Sequence, residues 1–141
     1  MSCINDEEEE DVTYSIKKAV NSEDLARVFK TSGIKRPSDD LPRLQRMIDN
    51  ADIMVTAWDA ARLIGVARAI TDFSYCCYLS DLAVDKAYQG TGIGKELVRL
   101  LQEQISEEVM LLLLSAPSAM EYYPRIGFDA IGNGFKIARK R

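Results

Sequence analysis

The chain has 141 residues, 47% hydrophobic and 28% charged, with a formal net charge of -4. That length fits one ordinary domain, that composition can bury a core, and no apolar run reaches the roughly 20 residues a bilayer span needs. The acidic balance argues against broad attraction to nucleic acid or an anionic membrane surface. There is no histidine, so Ser-His-Asp and Cys-His nucleophile pairs and His-ligated zinc are excluded. Proton chemistry falls to carboxylates, tyrosines, lysines, cysteines, backbone or water.

Residues 1–11 carry the acidic run Glu7 to Glu10; like charges repel and offer nothing to a core, so this stretch reads as a flexible acidic leader before a single domain over residues 12–141. It lacks the basic and apolar regions of a secretory signal. Cys3, Cys76 and Cys77 make neither a disulfide framework nor a CxxC metal site, and adjacent strand cysteines point to opposite faces. A reducing cytoplasm is the default location.

The β-branched and aromatic residues of 12–20 predict a first strand, after which Asn21 or Ser22 caps a helix carrying Leu25, Ala26, Val28 and Phe29 and ended by Gly33. Leu41, Leu44, Met47 and Ile48 recur at three- and four-residue spacing and predict a second helix. Residues 53–58 and 63–71 read as a hairpin, and 75–84 as a third consecutive strand. Ile93, Leu97, Leu100, Leu101 and Ile105 form one apolar helix face. The continuously apolar 109–114 predicts a central strand covered on both faces, and 128–138 a final strand interrupted at Gly132 and Gly134. The order implies an α/β (α+β) domain, a mainly antiparallel sheet with helices packed on it.

The chemistry concentrates in the strand end Leu82-Ala83-Val84 and the following Gln89-Gly90-Thr91-Gly92-Ile93-Gly94-Lys95, a glycine-rich loop that opens directly into a helix. Glycines let backbone amides approach a ligand, and the free N–H groups and dipole of a helix start favour an anion, phosphate being the natural candidate. Spacing excludes two familiar designs. A P-loop needs glycine where Gln89 stands and a hydroxyl residue where Glu96 stands, and three alternate glycines do not match G-x-G-x-x-G.

At these residues the sequence resembles the GCN5-related N-acetyltransferase (GNAT) superfamily. Gln89-Gly90-Thr91-Gly92-Ile93-Gly94 matches its (Arg/Gln)-x-x-Gly-x-(Gly/Ala) signature, and Ala119-Met120-Glu121-Tyr122-Tyr123-Pro124-Arg125-Ile126-Gly127-Phe128 is similar to its Ala-x-x-Phe-Tyr-x-x-x-Gly-Phe segment. The resemblance implies acetyl-CoA as co-substrate without a metal, pyrophosphate held by the loop amides and supported by Lys95. It also implies an acetyl group received by backbone at Leu82 and Val84, where two central strands splay apart. The activity implied is direct acetyl transfer to a primary amine of a small molecule, or to a lysine or N-terminal amine; homodimers recur in the family. A noncatalytic acyl-CoA-binding or sensing module is the alternative. It would keep the loop without needing Tyr123.

Tyr123 matches the tyrosine that in the family donates a proton to the departing thiolate. The glutamate some members carry as base is replaced by Tyr78, so the base is sought among Asp81, Asp72, Glu121 and water. Asp81 lies beside the acetyl-binding strand. Asp72 can either attract a cationic amine or cap a turn. Trp58, Phe73, Tyr75 and Tyr78 are candidate walls of the acceptor pocket, although each such residue is more often core or strand surface than a specificity element.

Overall fold

The computed structural model describes residues 12–141; the acidic leader lies outside them. Five strands form one sheet in the order β1-β2-β3-β4-β5: β1 (Val12–Ser15), β2 (Ile53–Asp59), β3 (Arg62–Thr71), β4 (Cys76–Val84) and β5 (Met110–Leu112). The first four run antiparallel to their neighbours, and β5 runs parallel to β4. The helices are α1 (Ser22–Ser32), α2 (Leu41–Asp49), α3 (Ile93–Gln102) and the single turn α4 (Tyr122–Arg125).

Local chemistry sets these boundaries. Asn21 Oδ1 accepts the Asp24 N–H to start α1, and Gly33 ends it at φ 85°, a left-handed conformation that glycine adopts without penalty. Asp40 caps α2 through the Arg43 N–H, with Pro42 in its first turn. Strand β1 is shorter than residues 12–20 because Ser15 Oγ accepts the N–H groups of Lys17 and Lys18 and turns the chain out of the sheet.

The sheet is covered on both faces. On one, α1 and α2 bring Leu25, Val28, Phe29 and Leu44 against Trp58, Leu63, Val66 and Ala83; on the other, α3 sets Ile93, Leu97, Val98 and Leu101 against Val55, Ile64, Ala67 and Leu79. Fully burying a side chain such as Phe29 contributes about 1.5–3 kcal/mol, so these faces are what hold the helices to the sheet. A bulge interrupts β3–β4 pairing: Arg68 pairs with Asp81 and Ala69 with Leu79, leaving Ser80 without a partner. The extra residue inverts the alternation of β4. Cys77 and Leu79 face the α3 core, whereas Ala83 faces α1 and α2.

Two expectations are corrected. The segment 109–114 is not a central strand covered on both faces; its pairing is limited to Met110–Leu112, it stands at the sheet edge, and Met110 and Leu114 are exposed. Residues 128–138 form no strand, and Phe135 and Ile137 are almost entirely exposed. Apolar runs alone do not say whether a partner strand is within reach.

Candidate active site

Strands β4 and β5 pair only between Cys76 and Tyr78 on one side and Met110 and Leu112 on the other. From Leu79 to Val84 strand β4 therefore runs on beside a fork, its β3 edge paired and its other edge free of β5. The Val84 carbonyl points into this fork, where it accepts Gln89 Nε2–H at 2.8 Å. The two-residue strand period turns the N–H and C=O of Leu82 to the same edge. Thus Leu82 and Val84 present backbone groups to the opening, while the side chain of Ala83 is buried.

The chain leaves this fork through a short 3-10 turn, Lys86–Tyr88, into the glycine loop. Asp85 caps that turn by accepting the Ala87 N–H, and Tyr88 Oη donates to Asp59 Oδ2 at 2.5 Å, fixing the loop's base against the β2–β3 corner. That bond, more than burial, raises the Tyr88 phenol pKa. Thr91 Oγ1 donates to the Tyr88 carbonyl at 2.7 Å, closing the loop on itself. Gly90 and Gly92 adopt φ of 83° and 88° with open space where a Cβ would project. Gly92 is the N-cap of α3 and supplies no side-chain bond to the first-turn amides. The result is an open stretch of backbone leading to uncapped donors at the start of α3, a donor set that favours an anion. Lys95 is exposed in that first turn, beside Gly94.

Gly94 serves a different purpose. A Cβ there would lie 2.5 Å from Tyr122 Oη, so the glycine is what lets α4 approach the start of α3. Tyr123 follows, its ring edge-on to Tyr122 and to Phe128 at centroid distances of 5.3 and 5.5 Å. Burial raises the Tyr123 phenol pKa, the neighbouring Tyr122 adds to the rise, and Arg36 opposes it. The phenol therefore keeps its proton at neutral pH.

Asp81 is fully buried, and its two oxygens are taken by separate guanidiniums: Oδ1 by Arg36 Nε and Oδ2 by Arg68 Nε. Arg36 also donates to the Ser80 carbonyl at 2.7 Å, and Arg68 to Ser80 Oγ at 3.0 Å. A carboxylate so enclosed is oriented to hold cations, and its side chain has no exposure to solvent. Sequence reading missed Arg36 and Arg68 as partners. The available signal was a charged residue inside a strand, since a buried carboxylate demands a cation.

Asp72 lies in the β3–β4 turn, where Oδ1 accepts the N–H groups of Ser74, Tyr75 and Cys76; these bonds lower its carboxyl pKa to about 2. Tyr78 is partly exposed on β4, level with the last β5 pair at the root of the fork. Trp58 takes the core role, the commoner of its two readings: it is buried, with Nε1 donating to Thr56 Oγ1 at 2.7 Å. Glu121 is exposed and only loosely near Arg125, at 3.8 Å. Among the described residues no cluster of acidic or cysteine side chains is arranged to hold a metal ion, and no helix is long and apolar enough to cross a membrane.

Comparison with known proteins matches this arrangement. Residues 4–138 fit the family model described as an acetyltransferase (GNAT) domain. The chain is 38% identical over 77 residues, 53% of its length, to the histone acetyltransferase TAP1 of Glycine max, and spans about a third of that protein, 33%. It is 27% identical over 133 residues to the uncharacterized N-acetyltransferase ycf52 of Pyropia yezoensis, covering 89% of this chain and 75% of that one. A GNAT family acetyltransferase structure from Streptococcus pneumoniae superposes with a TM-score of 0.73 at 19% identity, covering 92% of this chain and 99% of the other. With the forked sheet and the glycine loop in place, the chain belongs to the GNAT acetyltransferase family.

Proposed function

We propose that the chain is an acetyl-CoA-dependent N-acetyltransferase acting on a primary amine, either of a small molecule or of a lysine or N-terminal residue. The observation that carries this reading is the continuity of the free edge of β4 with the glycine loop, an unpaired backbone edge that leads directly to the uncapped first amides of α3. The name of the soybean relative supports including protein lysines among the acceptors.

The roles follow from position. The open backbone at Gly90 and Gly92, together with the first amides of α3 and Lys95, holds the pyrophosphate; acetyl-CoA, when bound, supplies the thioester. The Leu82 N–H faces the thioester oxygen, where a preorganised donor contributes around 3 kcal/mol as negative charge develops. The amine attacks as its neutral form: the N–C bond forms, the C–S bond breaks, and Tyr123 gives its proton to the departing thiolate. With both oxygens of Asp81 engaged by arginines, the ammonium proton passes to water, and Asp81 acts as an anchor for Arg36 and Arg68. Tyr78, at the root of the fork, borders the acceptor side, whereas Asp72 holds the β3–β4 turn before β4 begins.

The test is thiol release from acetyl-CoA against polyamines, arylalkylamines, amino sugars, amino acids and lysine peptides. Turnover with at least one class is expected, and Gly92→Val should weaken acetyl-CoA binding by about 10-fold or more, because a β-branched residue resists the left-handed φ. Tight acetyl-CoA binding without turnover across the panel would transfer the chain to the acyl-CoA-binding alternative.

A further inference from the structure

The buried cluster beside the fork does not balance its charge. Arg36 and Arg68 share the carboxylate of Asp81, two cations on one anion, and among the described residues neither arginine pairs with a second acidic group, so the cluster keeps a net positive charge. The two arginines are used differently. Arg68 is 9% exposed and spends its terminal nitrogens inside the chain, on Ser80 Oγ at 3.0 Å and the Met47 carbonyl at 3.4 Å. Arg36 is 26% exposed. Its Nε goes to Asp81, Nη1 to the Lys35 carbonyl at 2.5 Å and Nη2 to the Ser80 carbonyl at 2.7 Å. A guanidinium has five N–H donors, so one on each terminal nitrogen of Arg36 has no partner among the described residues.

Arg36 is also held in place and well situated. Its carbonyl accepts the Ser38 N–H at 2.7 Å, and Pro37 stiffens the connection between α1 and α2 on which it stands. Ser80 and Asp81, which it binds, immediately precede Leu82. The guanidinium is close enough to the Tyr123 phenol to oppose the rise in its pKa. It reaches β4 from the α1–α2 side, the face opposite α3, whose start carries the uncapped amides. The surplus charge thus lies beside the fork but apart from the phosphate path.

Given the acetyltransferase activity proposed above, on which this rests, we infer that the acceptor is an amine carrying a carboxylate, bound by the two unpartnered N–H groups of Arg36. Two donors on neighbouring nitrogens suit the two oxygens of a carboxylate, and charge-assisted bonds of this kind are about twice as strong as neutral ones. The same surplus charge disfavours an acceptor that is only cationic, such as a polyamine. Close to the amine it also favours the neutral form that attacks the thioester. Asp81 is then the positioning residue that aims Arg36.

Thiol release from acetyl-CoA with matched pairs of amines tests it. The pairs are ω-amino acids of increasing chain length and their amides, Nα-acetyl-lysine and its methylamide, and lysine peptides with Asp or Glu beside the lysine and their Asn or Gln forms. In the best-fitting pair the acid should exceed its neutral partner in kcat/KM by about 10-fold or more, mostly through KM. A ratio of that size among the amino acids marks a small-molecule acceptor, and one confined to the acidic peptides marks a protein acceptor; both support the assignment. Arg36→Gln should bring the ratio toward one, and Arg36→Lys, which keeps the charge but not the planar fork, should lower it. Each ratio is taken within one preparation, so a variant that folds less completely loses both rates together and the ratio stays readable. Where Arg36→Gln yields no folded protein, the wild-type pairs and Arg36→Lys decide. Equal kcat/KM for acid and neutral partner in every pair overturns the carboxylate assignment and leaves the acetyltransferase activity standing, as does an acid preference undiminished by either replacement. Absence of turnover with every amine overturns both.

Discussion

Tyr123 shows how a single position can be placed by motif and then given its chemistry by surroundings. Packing between Tyr122 and Phe128 limits its solvent contact, and burial, the largest influence, raises its pKa above the ordinary phenol value near ~10. A proton held that firmly is available at neutral pH and is lost only in strong alkali. Tyr123→Phe preserves the ring and removes the proton, so kcat should fall by about 100-fold while KM for acetyl-CoA changes little. In the wild type, any alkaline decline due to this group should lie above pH ~10. Steady-state kinetics across pH checks both, and an unchanged kcat would remove the acid role. The contact between the neighbouring Tyr122 and Gly94 was not legible in the sequence. It depends on how α4 docks against α3, a long-range arrangement that local spacing does not encode.

Among elements, the helices were the most legible because capping and periodicity act within a few residues. Asn21, Gly33 and Asp40 all occupy the ends their chemistry favours. The glycine loop was legible for the same reason: its φ requirements are local. Strand β5 was misjudged because coverage depends on neighbours, and the run 109–114 carries no mark of where the sheet stops. The β3–β4 turn illustrates a local element with a measurable signature. Three N–H donors hold the Asp72 carboxyl pKa at about 2, below its unfolded value near ~3.9. The stability it adds is thus complete above pH ~4 and lost as pH falls toward 2. Asp72→Asn keeps an acceptor oxygen but does not titrate, so the drop in melting temperature over that acid range should become shallower. An identical acid profile for the two proteins would show that the turn does not depend on this carboxylate.

At the scale of the molecule, the Arg36–Asp81–Arg68 cluster joins parts distant in sequence: the connection between α1 and α2, the middle of β3 and the bulged centre of β4. Removing one member leaves buried charge uncompensated, which costs about 3–5 kcal/mol. Asp81→Ala should therefore lower the urea midpoint by a loss of that size, read by equilibrium unfolding. For Asp81→Asn, a collapse in kcat with stability intact would return the residue to the role of base. Sequence placed Asp81 beside the acyl-binding strand but could not supply its partners, because Arg36 is 45 positions away and stands in a stretch that looks like a simple connection.

The unpaired Ser80 also bears on how faithfully the sheet assembles. Because the odd-numbered residues of β4 face the α3 core before Ser80 and the α1–α2 side after it, a one-residue slip against β3 turns both halves to the wrong faces. A shift of one residue would turn Leu79 out of its core and carry Asp81 away from both arginines toward the apolar side chains of α3. The irregularity thereby acts as an index mark on an otherwise repetitive ladder, penalising misregistered pairings during folding and leaving one alignment in which the free edge of β4 meets the glycine loop.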